Sequence, residues 1–381
     1  MEPVAAPPSV APARGAGAPA AGAAVLEAAA PRTLAVPTVV GIGTALPPDR
    51  GQREIWDTFF GEHYGNRAAP EQIFMNSGVD TRHAAVDPRI EDVANWGTEQ
   101  RMKRFLEEAM PLGKAAIEAC LQDAGIAPAD VGQLTVVSCT GYATPGLDVL
   151  LARELGLGLD AQRLHIGHMG CYAAVPGLAT VADGVAARGR VSIMLCLELT
   201  SLHVQPPTRD LEQVVAHALF SDAATAVAVA PDAAAGLEVV DVVARTDTDH
   251  REKMRWDVTD QGFRMALSSK VPVVLEQHVE AVVEELLAPR GLTATDVRGW
   301  AVHPGGPKII DVVRDRLGLG EEDVRESRGV LRDHGNCSSA TALLVLDRIR
   351  QGRELRAGDP VILMAFGPGL TLYASLLRVR G

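Results

Sequence analysis

The sequence predicts an α/β protein built as two repeated halves. Three observations carry that expectation. From about residue 36 onward, short β-type apolar runs alternate with stretches of helical periodicity. A turn-rich break at residues 230–236 (APDAAAG) is followed by a second pass through a similar order of elements, which suggests duplicated α/β units around mixed sheets. The chain's 381 residues, 47% of them hydrophobic, exceed one ordinary domain and supply ample core.

Taken in order, residues 1–35 are an Ala/Pro/Gly tract without periodicity. So few large apolar side chains cannot offset chain entropy, and a disordered tail is expected. Prolines interrupt any signal-peptide core, and no later apolar run is long enough to span a bilayer, so a soluble cytoplasmic protein is expected. The N-terminal half, residues 36–231, opens on a buried-strand run at 36–46. Residues 51–110 are more charged and contain Pro70 and Pro88, with Pro111 just beyond; they read as helices outside the core that cover a site. A helix at 112–124 stops at Gly125. Then come a strand at 134–139, a short helix at 147–155, a long buried helix at 172–187, and strands at 191–199 and 223–230. The C-terminal half, residues 232–381, repeats the order. A strand at 237–244 leads to a long amphipathic helix at 271–287, a strand ending at 300–303, helices at 308–317 and 338–350, and a hairpin of 361–366 with 370–377.

Composition narrows the function. A formal net charge of -12 argues against a nucleic-acid or anionic-membrane partner, so any anionic substrate needs a local basic patch. Five cysteines, an odd number without CxxC spacing, fit a reducing compartment and offer no zinc-site pattern.

Three polar islands interrupt the apolar pattern. In HIGHMGCYAA (165–174), Cys171 sits where a strand end feeds a helix, and Gly170 permits a tight turn. Unpaired amide N–H groups and the helix dipole there favour a thiolate, particularly beside a protonated His. By itself Cys171 is equally well read as a small buried core residue. In AVHPGGP (301–307), His303 follows a buried strand and precedes a turn whose backbone can approach a ligand closely. In LRDHGNCSSA (331–340), Asn336 precedes a helix, where a simple N-cap is the plainer reading.

In combination the islands carry a resemblance. The order GHMGCYAA, CLELTS (196–201), HALFSDAATA (217–226), VHPGGP (302–307), HGNCSSA (334–340) and FGPGL (366–370) resembles the type III polyketide synthases, the chalcone synthase-like condensing enzymes, over residues 36–380. The resemblance implies a thiolase-like fold with layered α-β-α-β-α architecture, and a homodimer. It also implies an acyl-CoA starter extended by malonyl-CoA or methylmalonyl-CoA, with no metal and no bound organic cofactor.

The family's catalytic set maps onto Cys171, His303 and Asn336. Cys171 would carry the acyl group as a reactive thioester. His303 as imidazolium would hold the thiolate, and His303 with Asn336 would stabilise the enolate left when the malonyl group loses carbon dioxide. Phe220 resembles the aromatic gate between the coenzyme A tunnel and the reaction cavity. The second gate aligns with Met265, with Phe263 close enough to replace it, and Phe366 opens the FGPGL loop. Around the cavity, Cys139 and His203 stand where plant enzymes have threonines, Thr200 and Ser338 are retained, and Trp256 replaces a glycine. Residues 254–272 look most like bacterial alkylpyrone and alkylresorcinol synthases, which points to a fatty acyl starter. Lys308, Lys270 and Arg82 are the expected cations for coenzyme A phosphates. The alternatives are a single-condensation ketoacyl-ACP synthase III, disfavoured by Pro304-Gly305-Gly306 after the His, and a catalytically inactive thiolase-fold partner protein, disfavoured by the intact catalytic set.

Overall fold

The computed structural model describes residues 33–381; the expected tail lies outside the described residues up to residue 32. Thirteen strands run along the described residues: β1 (Pro37–Ala45), β2 (Asp49–Gly51), β3 (Thr81–His83), β4 (Val131–Val137), β5 (Gln162–Ile166), β6 (Val191–Glu198), β7 (Ala223–Pro231), β8 (Gly236–Thr246), β9 (Met254–Thr259), β10 (Gly262–Leu267), β11 (Gly299–Val302), β12 (Pro360–Gly367) and β13 (Thr371–Arg380). Nine form one mixed sheet in the order β11-β12-β13-β8-β1-β7-β6-β4-β5, while β2/β3 and β9/β10 stand apart as two-stranded ribbons.

The duplication is explicit in the pairing. In the first half β1 runs antiparallel to β7, β7 antiparallel to β6, and β6 parallel to β4. In the second half β8 runs antiparallel to β13, β13 antiparallel to β12, and β12 parallel to β11. Within the main sheet the two halves are joined by two residue pairs of β1 with β8, Thr38 with Glu238 and Val39 with Leu237.

Side-chain alternation builds the layers, because successive strand residues point to opposite faces. Ile193, Leu195 and Leu197 of β6 pack with Phe105, Ala109 and Ile117 of the helix Thr98–Ala124. Met194 and Cys196, between them, join a second core with Leu178 and Val181 of the helix Ala174–Arg188 and Leu343 and Val345 of the helix Ser339–Gly352. In the second half Val361, Leu363 and Ala365 of β12 face that same central core, whereas Ile362, Met364 and Phe366 face the helix Val279–Leu287. The stack is therefore helix, half-sheet, two central helices, half-sheet, helix.

Several elements differ from expectation. The helix expected from residue 112 begins at Thr98 and runs through Pro111. An interior proline costs about 3 kcal/mol, which the buried face from Phe105 to Leu121 offsets. The long helix expected at 271–287 is two helices, Val271–Glu276 and Val279–Leu287. At the break, the Gln277 and His278 amides bond back three residues to Val274 and Leu275, and the His278 ring is tied to Asp247 at 3.0 Å. Strand β4 ends at Val137, so Cys139 lies in the loop beyond it. The charged region before residue 111 includes the helix Ala68–Met75, which does cover the principal cavity.

Candidate active site

Cys171 occupies a 3₁₀ turn, Gly170–Tyr172, that leads directly into the helix Ala174–Arg188. Gly170 has φ +74°, and a Cβ there would lie 2.8 Å from Pro368, so both backbone and space require glycine. Pro368 belongs to the FGPGL loop, which brings the C-terminal half against the nucleophile. His303 leaves the end of β11 with its amide bonded to the Met364 carbonyl of β12 at 2.8 Å. Asn336 is fixed from both sides: its amide donates to the Leu219 carbonyl at 2.9 Å, and its carbonyl accepts from Ser221 at 3.0 Å. The pair locks Asn336 beside Phe220.

These elements deliver Cys171, His303, Asn336, Phe220, Met265 and Phe366 to one cavity of about 630 Å³. The three groups expected to do chemistry are all buried. Asn336 is not a helix cap: the cap position is Ser338, and the Asn336 side-chain oxygen accepts from the Ser338 amide at 2.9 Å. That oxygen also lies 4.0 Å from Cys171 Sγ. Both ring nitrogens of His303 are buried and have no hydrogen-bond partner among the described residues. Burial pushes the Cys171 thiol up to about 12, against opposing hydrogen bonds from Ser338 and Asn336, and holds the His303 imidazole down to about 3. Desolvation disfavours the charged form of each group, and among the described residues no hydrogen bond joins the two side chains.

Two much smaller spaces adjoin this cavity through Phe220 and Met265. One of about 20 Å³ is lined by Cys171, Cys139, Thr200, Phe220, Trp256, Met265 and Ser338. The other, about 50 Å³, is lined by Arg82, Thr200, His203, Phe220, Trp256, Phe263 and Met265 among others. Phe220 and Met265 line all three spaces, so both stand at the boundary, whereas Phe263 stacks on His203 with centroids 4.6 Å apart. The Trp256 indole donates to the Cys139 carbonyl at 2.8 Å. His203 is a pin, with one ring nitrogen on the Thr140 carbonyl at 2.7 Å and the other accepting from the Phe263 amide at 3.0 Å. Cys139 touches Glu198 and, at 3.6 Å, Ser338; burial and the Glu198 charge raise its thiol well above the ordinary range.

The cations divide. Lys308 is exposed and lines the large cavity, and Lys270 is exposed between the lining residues Ser269 and Val271. Arg82 is a correction: it is buried, its guanidinium lies over the rings of Phe60 and Phe74, and it donates to the carbonyls of His217 and Phe220 at the end of the helix Leu211–Leu219. It belongs to the inner wall and cannot meet phosphates at the cavity mouth. The sequence reading also missed Thr140 and Ser339, whose hydroxyls donate to the buried Glu198 at 2.8 and 2.6 Å. Their signal was a hydroxyl in an apolar run, too common to single out.

Family models for the chalcone and stilbene synthases match almost the whole of this arrangement, the N-terminal domain over residues 27–233 and the C-terminal domain over residues 243–380. The chain belongs to the type III polyketide synthase family. It is 34% identical over 355 residues to the 3,5-dihydroxyphenylacetyl-CoA synthase of Streptomyces toyocaensis, covering 90% of each chain. It is 31% identical over 377 residues to the alpha-pyrone synthesis polyketide synthase-like Pks18 of Mycobacterium tuberculosis, covering 94% of each. The crystal structure of 1,3,6,8-tetrahydroxynaphthalene synthase from Streptomyces coelicolor A3(2) superposes with a TM-score of 0.85 at 27% identity, covering 90% of this chain and 99% of that one. The fold is thus the thiolase-like fold of type III polyketide synthases, and the protein is a transferase that catalyses decarboxylative Claisen condensation. Enzymes of this family use acyl-CoA and malonyl-CoA. Among the described residues no helix is long and apolar enough to cross a membrane, and no cluster of His, Cys, Asp and Glu is placed to hold a metal.

Proposed function

We propose that Cys171, His303 and Asn336 carry out iterative condensation of malonyl units onto a fatty acyl starter, ending in an alkylpyrone or alkylresorcinol. The observation that carries this reading is their convergence on one largely apolar cavity. Loading begins as the Cys171 thiol passes its proton to His303 while sulfur attacks the starter thioester carbonyl. Coenzyme A leaves as a thiolate and recovers that proton. Malonyl-CoA then loses carbon dioxide, and its enolate oxygen accepts hydrogen bonds from the His303 ring and the Asn336 amide nitrogen. The enolate carbon attacks the acyl-Cys171 carbonyl, the carbon–sulfur bond breaks with Cys171 leaving as the thiolate, and that thiolate takes the lengthened acyl group back from coenzyme A, which leaves as its own thiolate, before the next round. Each such donor is worth about 2.7 to 4 kcal/mol in the transition state.

In this reading Lys308 and Lys270 meet the coenzyme A phosphates, which their exposure at the cavity supports, and the chemistry needs no metal or bound organic cofactor. The enzyme acts in the cytoplasm as a homodimer. The edge strand β5 supports the dimer: it is exposed along nearly its whole length, Leu164 included, and an uncovered edge invites pairing with a second copy. The test is mass-spectrometric product analysis with malonyl-CoA, methylmalonyl-CoA and a panel of short, aromatic and long-chain acyl-CoAs. Pyrones or resorcinols made by the wild type and absent with Cys171→Ala support the reading. A single condensation that requires an acyl carrier protein overturns it.

A further inference from the structure

Asn336 reaches the cavity through a joint that has no side chain. The helix Arg325–His334 ends at His334, and Gly335 after it has φ +71°. A Cβ at Gly335 would lie 3.0 Å from the Leu219 carbonyl oxygen and 3.0 Å from Ser221 Cβ, so the close approach requires glycine. Such a joint fixes little by itself, and the place of Asn336 depends on what holds the chain on either side. On one side are its backbone bonds to Leu219 and Ser221. On the other is His334.

His334 is held by its ring. Arg348 Nη2, on the helix Ser339–Gly352, lies 3.3 Å from His334 Nε2; His334 Nδ1 lies 3.0 Å from His83 Nε2, and His83 Nδ1 lies 3.0 Å from the Pro47 carbonyl oxygen. A guanidinium only donates and a carbonyl only accepts, so the two ends of this row impose the same direction on it. His334 Nε2 accepts from Arg348, His334 Nδ1–H donates to His83, and His83 Nδ1–H donates to Pro47. Both imidazoles are then neutral and share one tautomer. One further proton would set two N–H groups face to face at one of the three links. Burial first, then His83 and Arg348, hold the His334 imidazole down to about 4.

The row closes on the loop itself. The His83 amide donates to Ser221 Oγ at 2.8 Å, and that hydroxyl donates back to the His83 carbonyl at 3.2 Å. The Ser221 amide in turn donates to the Asn336 carbonyl at 3.0 Å. His83, His334, Asn336 and Ser221 thus form a closed circuit around the Gly335 joint. Within it, Asn336 Oδ1 is taken by the Ser338 amide, which leaves the side-chain nitrogen for substrate.

We infer that His83 and His334 are positioning residues, a neutral pair that holds Asn336 where its side-chain nitrogen meets the enolate oxygen of the decarboxylated malonyl unit. The inference rests on the catalytic reading of Asn336 above. It places the effect of the pair in the decarboxylation step and leaves the loading of Cys171 independent of it.

The test measures malonyl-CoA decarboxylation by carbon dioxide release, and Cys171 loading by intact mass, in full-length wild type, His334→Asn, His334→Gln and Asn336→Ala. An Asn amide places a nitrogen donor where Nδ1 stands and keeps the link to His83; a Gln amide reaches the Nε2 position and keeps only the Arg348 link. Thermal melting selects the variants that are folded. His334→Asn should retain most of the wild-type kcat. His334→Gln should lose on the order of tenfold to a hundredfold in kcat, the effect of a misplaced group, with KM for malonyl-CoA and the loading rate at wild-type values. Nitrogen-15 spectra of the histidine-labelled wild type, assigned by the signals lost in one folded variant, should show the His334 proton on Nδ1. Wild-type kcat in folded His334→Gln, equal losses in the Asn and Gln variants, a parallel fall in loading, or a His334 proton on Nε2 each overturns the inference. Failure of the catalytic reading looks different: Asn336→Ala then decarboxylates malonyl-CoA as fast as the wild type.

Discussion

Cys171 and His303 share a cavity wall, and burial there disfavours the charged form of each. A thiol held near 12 next to an imidazole held near 3 has little thiolate at pH 7, so nucleophilicity has to be generated as the substrate carbonyl arrives. Alkylation by iodoacetamide reads this directly. The rate at Cys171 should climb steadily between pH 7 and pH 9.5, with no plateau below pH 7, since only the thiolate reacts. A rate independent of pH from 5 upward would show a resting ion pair and refute the neutral state. The three groups were legible in the sequence because each sits in a polar island amid apolar runs. Their charge state was not, because desolvation depends on neighbours brought from distant segments. Arg82 makes the same point: its place in the chain gave no sign of the Phe60 and Phe74 rings that enclose it.

At the scale of elements, the β9–β10 ribbon matters most for the product. It lies outside the main sheet and carries Trp256 and Met265 opposite one another, both against the inner spaces. Its position is set from outside by Thr98, whose amide donates to the Asp260 carbonyl and whose hydroxyl donates to the Thr259 carbonyl and accepts from the Gly262 amide, and by His203, which joins the ribbon to the Thr140 loop. Trp256→Gly removes the indole shared by the 20 and 50 Å³ spaces and lets them merge, so chain length or ring type should change while malonyl-CoA decarboxylation persists. Product profiling beside a carbon dioxide release assay checks both halves, and unchanged products would remove Trp256 from the cavity account. Most elements were legible from periodicity to within a few residues. The break at Gln277–His278 was not, because its cause is a contact with Asp247 from another part of the chain. Continuation through Pro111 was not either, because it depends on how much of the helix face is buried.

At the scale of the molecule, the duplicated order of elements could be read from the sequence, whereas the pairing of β1 with β8 that joins the two half-sheets could not. Closing the site between those halves buries ionisable groups, and that makes stability depend on pH. Burial holds His203 and His303 at about 3 and His217 well below its ordinary value. In the unfolded chain each titrates near 6.5. Between the folded and unfolded values the unfolded chain binds more protons, so the contribution of these groups is complete above pH 6.5 and is lost as pH falls. At 1.36 kcal/mol per group per pH unit, three such groups remove up to about 4 kcal/mol per unit, a large share of a typical 5 to 15 kcal/mol. Glu198 and Asp222 act in the opposite sense, since burial raises both and their protonation favours the folded state at acid pH. Raised carboxyls keep that benefit below their folded values and lose it as pH rises, so they blunt the acid loss without reversing it. The melting temperature should therefore drop between pH 7 and pH 5, with net proton uptake on unfolding in calorimetry run in buffers of different ionisation enthalpy. A melting temperature flat across that range, with no proton uptake, would mean that these histidines reach solvent protons in the folded enzyme and that the site is wetter than its packing shows.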